Sequence, residues 1–284
     1  MKELIIAQEQ IDQLFSKGKL NVDEVLEIEP DENEFLILKD ITAASSALVK
    51  YKSPYFFPIK ETKVYQGIKP KDAKQKCFFD SLADEKILMS VILGKAGTGK
   101  TLLAMAYALE QYFKNNKTII LIKPSVFVGG KSPVMGPVPG DVNDKLAGTM
   151  ASYMVHFNSL LGHKAPFLLE EMLDKNALKM LPIEQARGMS LENATVILDE
   201  AQNCDMHTMK TIVSRVAASS KLIVLGDLSQ IDAPFSKKES GLYIFLESFA
   251  FKDSLVTSQI TLTTQYRSAL ADLCEAISEE YYKD

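Results

Sequence analysis

Tryptophan is absent from the 284-residue chain, and histidine and cysteine occur three times each. Cys77, Cys204 and Cys274 are far apart and form no C-x-x-C pair, so neither a disulfide framework nor a zinc site is expected, and a reducing compartment is. His156, His163 and His207 fit no ligand spacing. No apolar run approaches the roughly 20 residues of a membrane span. Lys2 and Glu3 interrupt the start before a signal-peptide core can form. Strong charge of either sign is missing too. A formal net charge of −5 and a pI near 5.4 exclude a global pull on nucleic acid, so any polyanion must be met by a local groove. With 46% hydrophobic and 24% charged residues, the expectation is a soluble cytoplasmic protein of one large or two modest domains.

Against that plain background one stretch stands out: Gly94, Lys95, Ala96, Gly97, Thr98, Gly99, Lys100 and Thr101. An apolar run over 87–93 precedes it and an apolar-periodic segment over 102–113, opening at Leu102, follows. Strand, G-x-x-x-x-G-K-T loop and helix form the phosphate-binding arrangement. The glycines let the backbone curl so that N–H groups converge on an anion at a helix N-terminus. Lys100 supplies a point charge for the β- and γ-phosphates, and the Thr101 hydroxyl a ligand for Mg²⁺. A nucleoside triphosphate is the implied ligand.

The second signal is Val196-Ile197-Leu198-Asp199-Glu200. A continuous apolar run ending in two acids reads as a buried parallel strand with carboxylates at its carboxyl edge, where open α/β sheets bind ligands. Asp199 is the expected Mg²⁺ ligand, and Glu200 the general base for an attacking water.

The remaining chain divides at about residue 66. Residues 1–66 are expected to form an appendage. It holds a short helix over 7–15, an acidic loop carrying seven acids and no Lys or Arg over 23–34, and strand-like runs over 35–38 and 47–51. Residues 67–284 are expected to hold the nucleotide-binding domain. Helices are predicted over 73–82, 143–161, 166–175, 240–251 and 269–282, and strands over 118–122, 178–183, 221–225 and 260–264. Four glycines and four prolines within 123–141 mark a long loop, in which Lys123, Ser125 and Lys131 offer phosphate-contacting groups; a structural excursion explains it equally. A further loop carries Arg187 and Gly188. Arg215 falls off the apolar stripe of its helix and so faces solvent, nucleotide or a neighbouring subunit. Gln230 follows a strand end, where it either contacts the γ-phosphate or caps a turn. Arg267 either stabilises transition-state charge or is a surface arginine.

Taken together, residues 94–101, Lys123-Pro124, Pro139-Gly140-Asp141, Arg187-Gly188, the Asp-Glu-Ala-Gln-Asn run ending at Asn203, the Gly-Asp-x-x-Gln-Ile-Asp run starting at Gly226, Ser240-Gly241-Leu242 and Arg267-Ser268 resemble the PhoH-like family of P-loop ATPases, in the family's order. The resemblance implies an α/β, RecA-like P-loop NTPase with a mainly parallel central sheet flanked by helices. It further implies ATPase activity with ATP and Mg²⁺, a link to single-stranded RNA binding or unwinding, and ring-shaped, hexameric assembly. It also gives Gln75, upstream of the loop, a role in reading the adenine edge, as an amide both donates and accepts. Residues 33–51 are similar to the segment that precedes the ATPase domain in members with a PIN ribonuclease domain, which 66 residues cannot accommodate. Lys123 departs from the arginine common in the family and loses bidentate geometry; the 129–140 segment departs as well. The leading function is thus an ATP hydrolase that remodels RNA as a ring, with Lys123, Ser125 and Arg187 as nucleic-acid contacts. The alternative is a nucleotide-controlled binding or assembly module with slow turnover and no unwinding.

Overall fold

Runs such as Ile119-Ile120-Leu121-Ile122 leave no polar face, so the strands they form must be covered on both sides. The computed structural model, which describes residues 1–26, 29–42, 44–124, 142–186, 188–266, 273 and 277 (the backbone alone for 142–150 and 184), shows how.

Residues 1–58 form β1 (Lys2–Ile6), α1 (Gln8–Lys17), β2 (Leu20–Asn21), β3 (Phe35–Asp40), β4 (Ser46–Lys52) and β5 (Tyr55–Pro58). Among the described residues these strands make one five-stranded sheet, ordered β1-β3-β4-β5-β2. β1 joins β3 in parallel and the other pairs are antiparallel. Ile11 and Leu14 of α1 close its core against Leu20, Leu36, Leu38, Val49, Tyr51 and Phe56. The sequence reading anticipated α1, β3 and β4. It missed β1, β2 and β5, short elements that become strands only by pairing.

The rest of the chain supplies α2 (Ala73–Ala83), β6 (Met89–Leu93), α3 (Lys100–Asn115), β7 (Thr118–Ile122), α4 (Val142–Leu161), α5 (Ala165–Asp174), β8 (Leu178–Leu181), α6 (Ile183–Ala186), β9 (Ala194–Leu198), α7 (Met206–Val213), β10 (Lys221–Gly226), α8 (Gly241–Glu247), α9 (Phe249–Lys252) and β11 (Thr257–Thr261). Among the described residues its strands form a six-stranded, all-parallel sheet ordered β11-β6-β10-β9-β7-β8. Alternation assigns each strand residue to a face. Ile119, Leu121, Ile197 and Ile223 pack with α2, α3 and α5, whereas Ile120, Ile122, Val196 and Val224 pack with α7, α8 and α9. This is the expected RecA-like P-loop arrangement, with β10 inserted between the phosphate-loop strand β6 and the acidic strand β9. No helix of the described residues is long and apolar enough to cross a membrane.

Three sequence-based boundaries need correction. The helix expected over 240–251 breaks at Ser248, which is extended (ψ 130°), so that Phe251 turns back onto the core and its carbonyl accepts from Thr257 Oγ1 at 2.7 Å. The last strand covers Thr257–Thr261 rather than 260–264, because register with β6 pairs Thr257 with Met89. Residues 183–186, partly read as loop, form α6. The Gly/Pro-rich loop from Ser125 to Asp141, Arg187, Arg267 and the expected helix over 269–282 lie outside the described residues, Leu273 and Ile277 excepted.

Candidate nucleotide site at the carboxyl edge of the sheet

The loop from Gly94 to Gly99 leaves β6 and enters α3 through three glycines with positive φ: 153° at Gly94, 84° at Gly97 and 89° at Gly99. Gly94 is the most constrained. A Cβ there would come within 2.6 Å of the Leu262 carbonyl, so only glycine fits the crossing between β6 and the chain leaving β11. The loop is pinned to both neighbouring strands, by Gly94 N–H on Gly226 O (3.1 Å) and Leu262 N–H on Leu93 O (2.8 Å). Thr98 Oγ1 donates to Lys95 O at 2.9 Å. Lys100 Nζ donates to Gly94 O, and to Lys95 O at 3.1 Å, which places its ammonium inside the loop's curve. Lys95, Ala96 and Leu102 are half-buried around it.

Gln75 also reaches the loop. Its side chain is buried, Nε2 donating to Thr98 O (3.3 Å) and Oε1 accepting from Lys71 N–H (2.9 Å). Both ends of the amide therefore have backbone partners. Tyr266 flanks the same side, its N–H on Gly97 O (2.9 Å) and its hydroxyl on Asp72 Oδ2 (2.9 Å).

Two strands away, Asp199 follows β9 and is buried. Its Oδ2 faces Thr101 Oγ1 at 3.5 Å and the Tyr153 hydroxyl at 3.3 Å, and its Oδ1 accepts from Glu200 N–H at 3.0 Å. Burial raises the Asp199 carboxyl above its usual range and the neighbouring Glu200 adds to this; the Lys123 charge, at the end of β7, opposes it. Burial likewise raises the Tyr153 hydroxyl, with help from Asp199.

Glu200 itself has φ +55°, a sharp left-handed turn that a non-glycine residue adopts at a cost of about 1 kcal/mol or more. The turn leads directly into Gln202, which is buried and fully engaged. Its Nε2 donates to Glu200 Oε2 (2.7 Å) and Gln230 O (2.9 Å), and its Oε1 accepts from Asp227 N–H (3.0 Å). Asp227, at the end of β10, accepts from Ser229 through Oδ1, while its buried Oδ2 has no hydrogen-bond partner among the described residues. Gly226 must approach closely here, since a Cβ would lie 3.3 Å from Gln202 Oε1. Ser240 Oγ donates to Gln202 O (2.9 Å) and Gly241 N–H to Cys204 O (2.7 Å), so the start of α8 braces the same turn.

The fold thus brings Gln75, the loop, Thr101, Asp199, Glu200, Gln230 and Lys123 to one edge. Gln230 has an exposed side chain and enters the network by its carbonyl. Arg215 is not brought there. It is exposed and its carbonyl accepts from Leu191 N–H, ahead of β9, at the amino edge of the sheet. Ser125, Arg187 and Arg267 are outside the described residues. Sequence reasoning overlooked Tyr153, Gln202 as a hub, and Asp227. Asp227 was findable, as it ends an apolar strand just as Asp199 does. Tyr153 lies in a helix and carries no local signal.

Known proteins resemble this chain over most of its length. Residues 67–281 match the family model described as PhoH-like protein. The chain is 31% identical over 280 residues to Protein PhoH2 of Bacillus subtilis, covering 96% of this chain and 62% of that protein. It is 29% identical over 282 residues to Protein PhoH2 of Mycolicibacterium smegmatis, covering 99% and 62%. To the PhoH-like protein of Bacillus subtilis it is 30% identical over 250 residues, covering 85% and 75%. The chain spans about three-fifths of the length of the PhoH2 relatives. The Pif1 helicase of Candida albicans overlays on 70% of this chain and 41% of its own at a TM-score of 0.34 and 18% identity, a likeness too slight to argue from. The phosphate loop, the acid-ended strand beyond an inserted neighbour, and a family match across three-quarters of its length establish that this chain belongs to the PhoH-like family of P-loop ATPases.

Proposed function

We propose that the chain is a Mg²⁺-dependent ATP hydrolase that couples turnover to the binding or unwinding of RNA as a ring-shaped oligomer. The observation that carries the hydrolytic part is the meeting of Thr101 Oγ1 and Asp199 Oδ2, 3.5 Å apart, beneath a loop holding Lys100 and beside a Glu200 fixed by Gln202.

The donor set suits magnesium, which favours oxygen and is commonly held by one or two carboxylates together with substrate phosphates. Thr101 and Asp199 supply such oxygens, and a cation beside Asp199 offsets the burial that disfavours its charge. Phosphate oxygens and water would supply the cation's remaining ligands. Held by Thr101 and Asp199, magnesium would supply positive charge against the negative charge that develops on the phosphate.

The chain's own residues do the rest. Backbone N–H groups of the loop hold the phosphates at the start of α3, and Lys100 exchanges loop carbonyls for phosphate oxygen. Glu200 takes a proton from the attacking water. Gln202 keeps one carboxylate oxygen in place for this, a contribution of orientation. The transition state gathers charge that an arginine would stabilise. Arg215, at the opposite edge of the sheet, cannot serve its own site and is assigned to a neighbour's; Arg267 is the other candidate. A donated arginine makes assembly part of catalysis.

Support for RNA comes from the family relationship, with Lys123, Ser125 and Arg187 as the proposed contacts. The net charge of −5 favours the second reading, a nucleotide-controlled binding module with slow turnover. ATPase assays with and without single-stranded RNA separate the two. Stimulation that weakens as salt is added supports coupling, and absence of RNA binding at low salt refutes it. Lys100→Ala is expected to abolish nucleotide binding or turnover. Glu200→Gln should retain binding and lose about 10²–10⁴-fold in kcat; parental turnover would dismiss Glu200 as the base. Solution mass with and without ATP and Mg²⁺ tests the ring.

A further inference from the structure

The helix α2 touches both the phosphate loop and the N-terminal sheet, and it does so with its two ends. At its start, Asp72 Oδ1 caps Gln75 N–H (2.8 Å), and the Gln75 amide spans from Lys71 N–H to Thr98 O. Gln75 Nε2 also lies 3.6 Å from where a Gly99 Cβ would stand, so it packs on the backbone that opens α3. At its end, Lys50 of β4, its side chain only 5% exposed, donates to Asp84 Oδ2 (2.8 Å) and Asp80 Oδ2 (3.4 Å). Lys52 adds a 2.6 Å pair to Asp84. Lys221 of β10, also buried, binds the terminal carbonyls of Leu82 and Asp84 at 2.8 Å each.

Between these ends the helix has little room to bend. Cys77, Phe78 and Phe79 are fully buried, and Ser81 Oγ shares hydrogens with Ser90 of β6 (2.7 Å) and Ser258 of β11 (2.5 Å). Asp84, which takes the two shorter ion pairs, is nine residues beyond Gln75, about 13–14 Å along the helix axis and outside direct interaction with it.

We propose that α2 is a rigid strut through which the N-terminal sheet sets the phosphate loop, with Gln75 and Lys50 as positioning residues at its two ends. Lys50 fixes where the helix ends and Gln75 converts that placement into the position of the Thr98 carbonyl. The proposal rests on the loop's assignment as the ATP site for its binding readout, but not for its structural one.

A double-mutant cycle on the full chain tests it. Lys50→Met and Gln75→Met are each expected to weaken binding of a fluorescent ATP analogue with Mg²⁺ by about threefold to tenfold, and Lys50→Met, remote from the site, should leave kcat at saturation within about twofold. Combined, they should cost scarcely more than either alone, because both act through one strut. Sites this far apart ordinarily add, so multiplied effects, or a silent Lys50→Met, would overturn the proposal. Amide exchange of a peptide covering 94–101, without nucleotide, should quicken in Lys50→Met, and in Lys52→Met, the milder variant, if the first fails to fold. Unchanged exchange in the folded variant would overturn the proposal as well. If the parent binds no analogue, the ATPase reading falls and the exchange measurement still decides the strut.

Discussion

Replacing Gln202 by glutamate changes one atom at the centre of the site. The variant keeps an oxygen to accept from Asp227 N–H, but an oxygen replaces Nε2, which in the parent lies 2.7 Å from Glu200 Oε2 and 2.9 Å from Gln230 O. Three acceptors then meet with no donor. Two unit charges about 4 Å apart repel by about 2–4 kcal/mol at an effective dielectric of about 20–40. That equals about 1.5–3 pH units. The two carboxylates therefore keep one proton between them to a higher pH than a lone carboxyl keeps its own, and a base already sharing a proton accepts none from water. The expected result is a fall in kcat that is greatest at the acid end of the range and recovers as pH rises. The acid limb of the kcat–pH profile should move up by about 1.5–3 units. Nucleotide affinity should hold, since the loop of residues 94–101 is untouched. Gln202→Met removes the donor without adding charge, and should lower kcat with no such displacement. The assay is steady-state phosphate release from pH 5 to 10, with every variant confirmed folded. Superimposable profiles for Gln202→Glu and Gln202→Met would refute the placement of Gln202 against the base.

Three other perturbations probe different parts of the molecule. Gly241→Ala places a Cβ 2.5 Å from the Asp205 carbonyl and 2.7 Å from Met209 Cγ, so α8 must shift; a loss of about 2 kcal/mol is expected, read as a lower urea midpoint with unchanged m. Tyr153→Phe removes a donor 3.3 Å from Asp199 Oδ2 and should alter the Mg²⁺ concentration needed for half-maximal activity, leaving thermal stability nearly unchanged; an unaltered Mg²⁺ titration would exclude the contact from the site. Asp84 is partly desolvated, which raises its carboxyl, but hydrogen bonds and charge from Lys50 and Lys52 outweigh this and hold it well below the usual range. A lowered folded value stabilises the protein above the unfolded pKa of about 4 and is lost as pH falls below it. Urea midpoints should drop from pH 5 to 3 more steeply in the parent than in Asp84→Asn.

Where a residue's task is met by its neighbours in the chain, the sequence alone determined the outcome. Glycine at 94, 97 and 99 answers a local backbone demand, and Lys100 and Thr101 enter the site because they open the helix that follows. The apolar runs of β7, β9 and β10 declare themselves buried, since a sheet covered on both faces tolerates no polar side. Asp199 and Glu200 were legible for the same reason: an acid ending such a run sits at the edge where ligands bind. What only the tertiary structure decided depends on partners distant in the chain. Local composition favours one helix over 240–251, yet Ser248 breaks it because Phe251 gains burial by turning inward. β1 is a strand only because it lies beside β3, some thirty residues on. The chain order hides that β10 separates β6 from β9, and so that Asp227 at the end of β10 meets Gln202, which in turn bonds Glu200. Gln75 shows the division within one side chain: the family resemblance implied a contact with the adenine edge, and the fold gives both ends of its amide backbone partners. Hydrogen-bond partners are chosen by packing, which spans the whole chain, while glycine, strand and helix signals are written within a few residues.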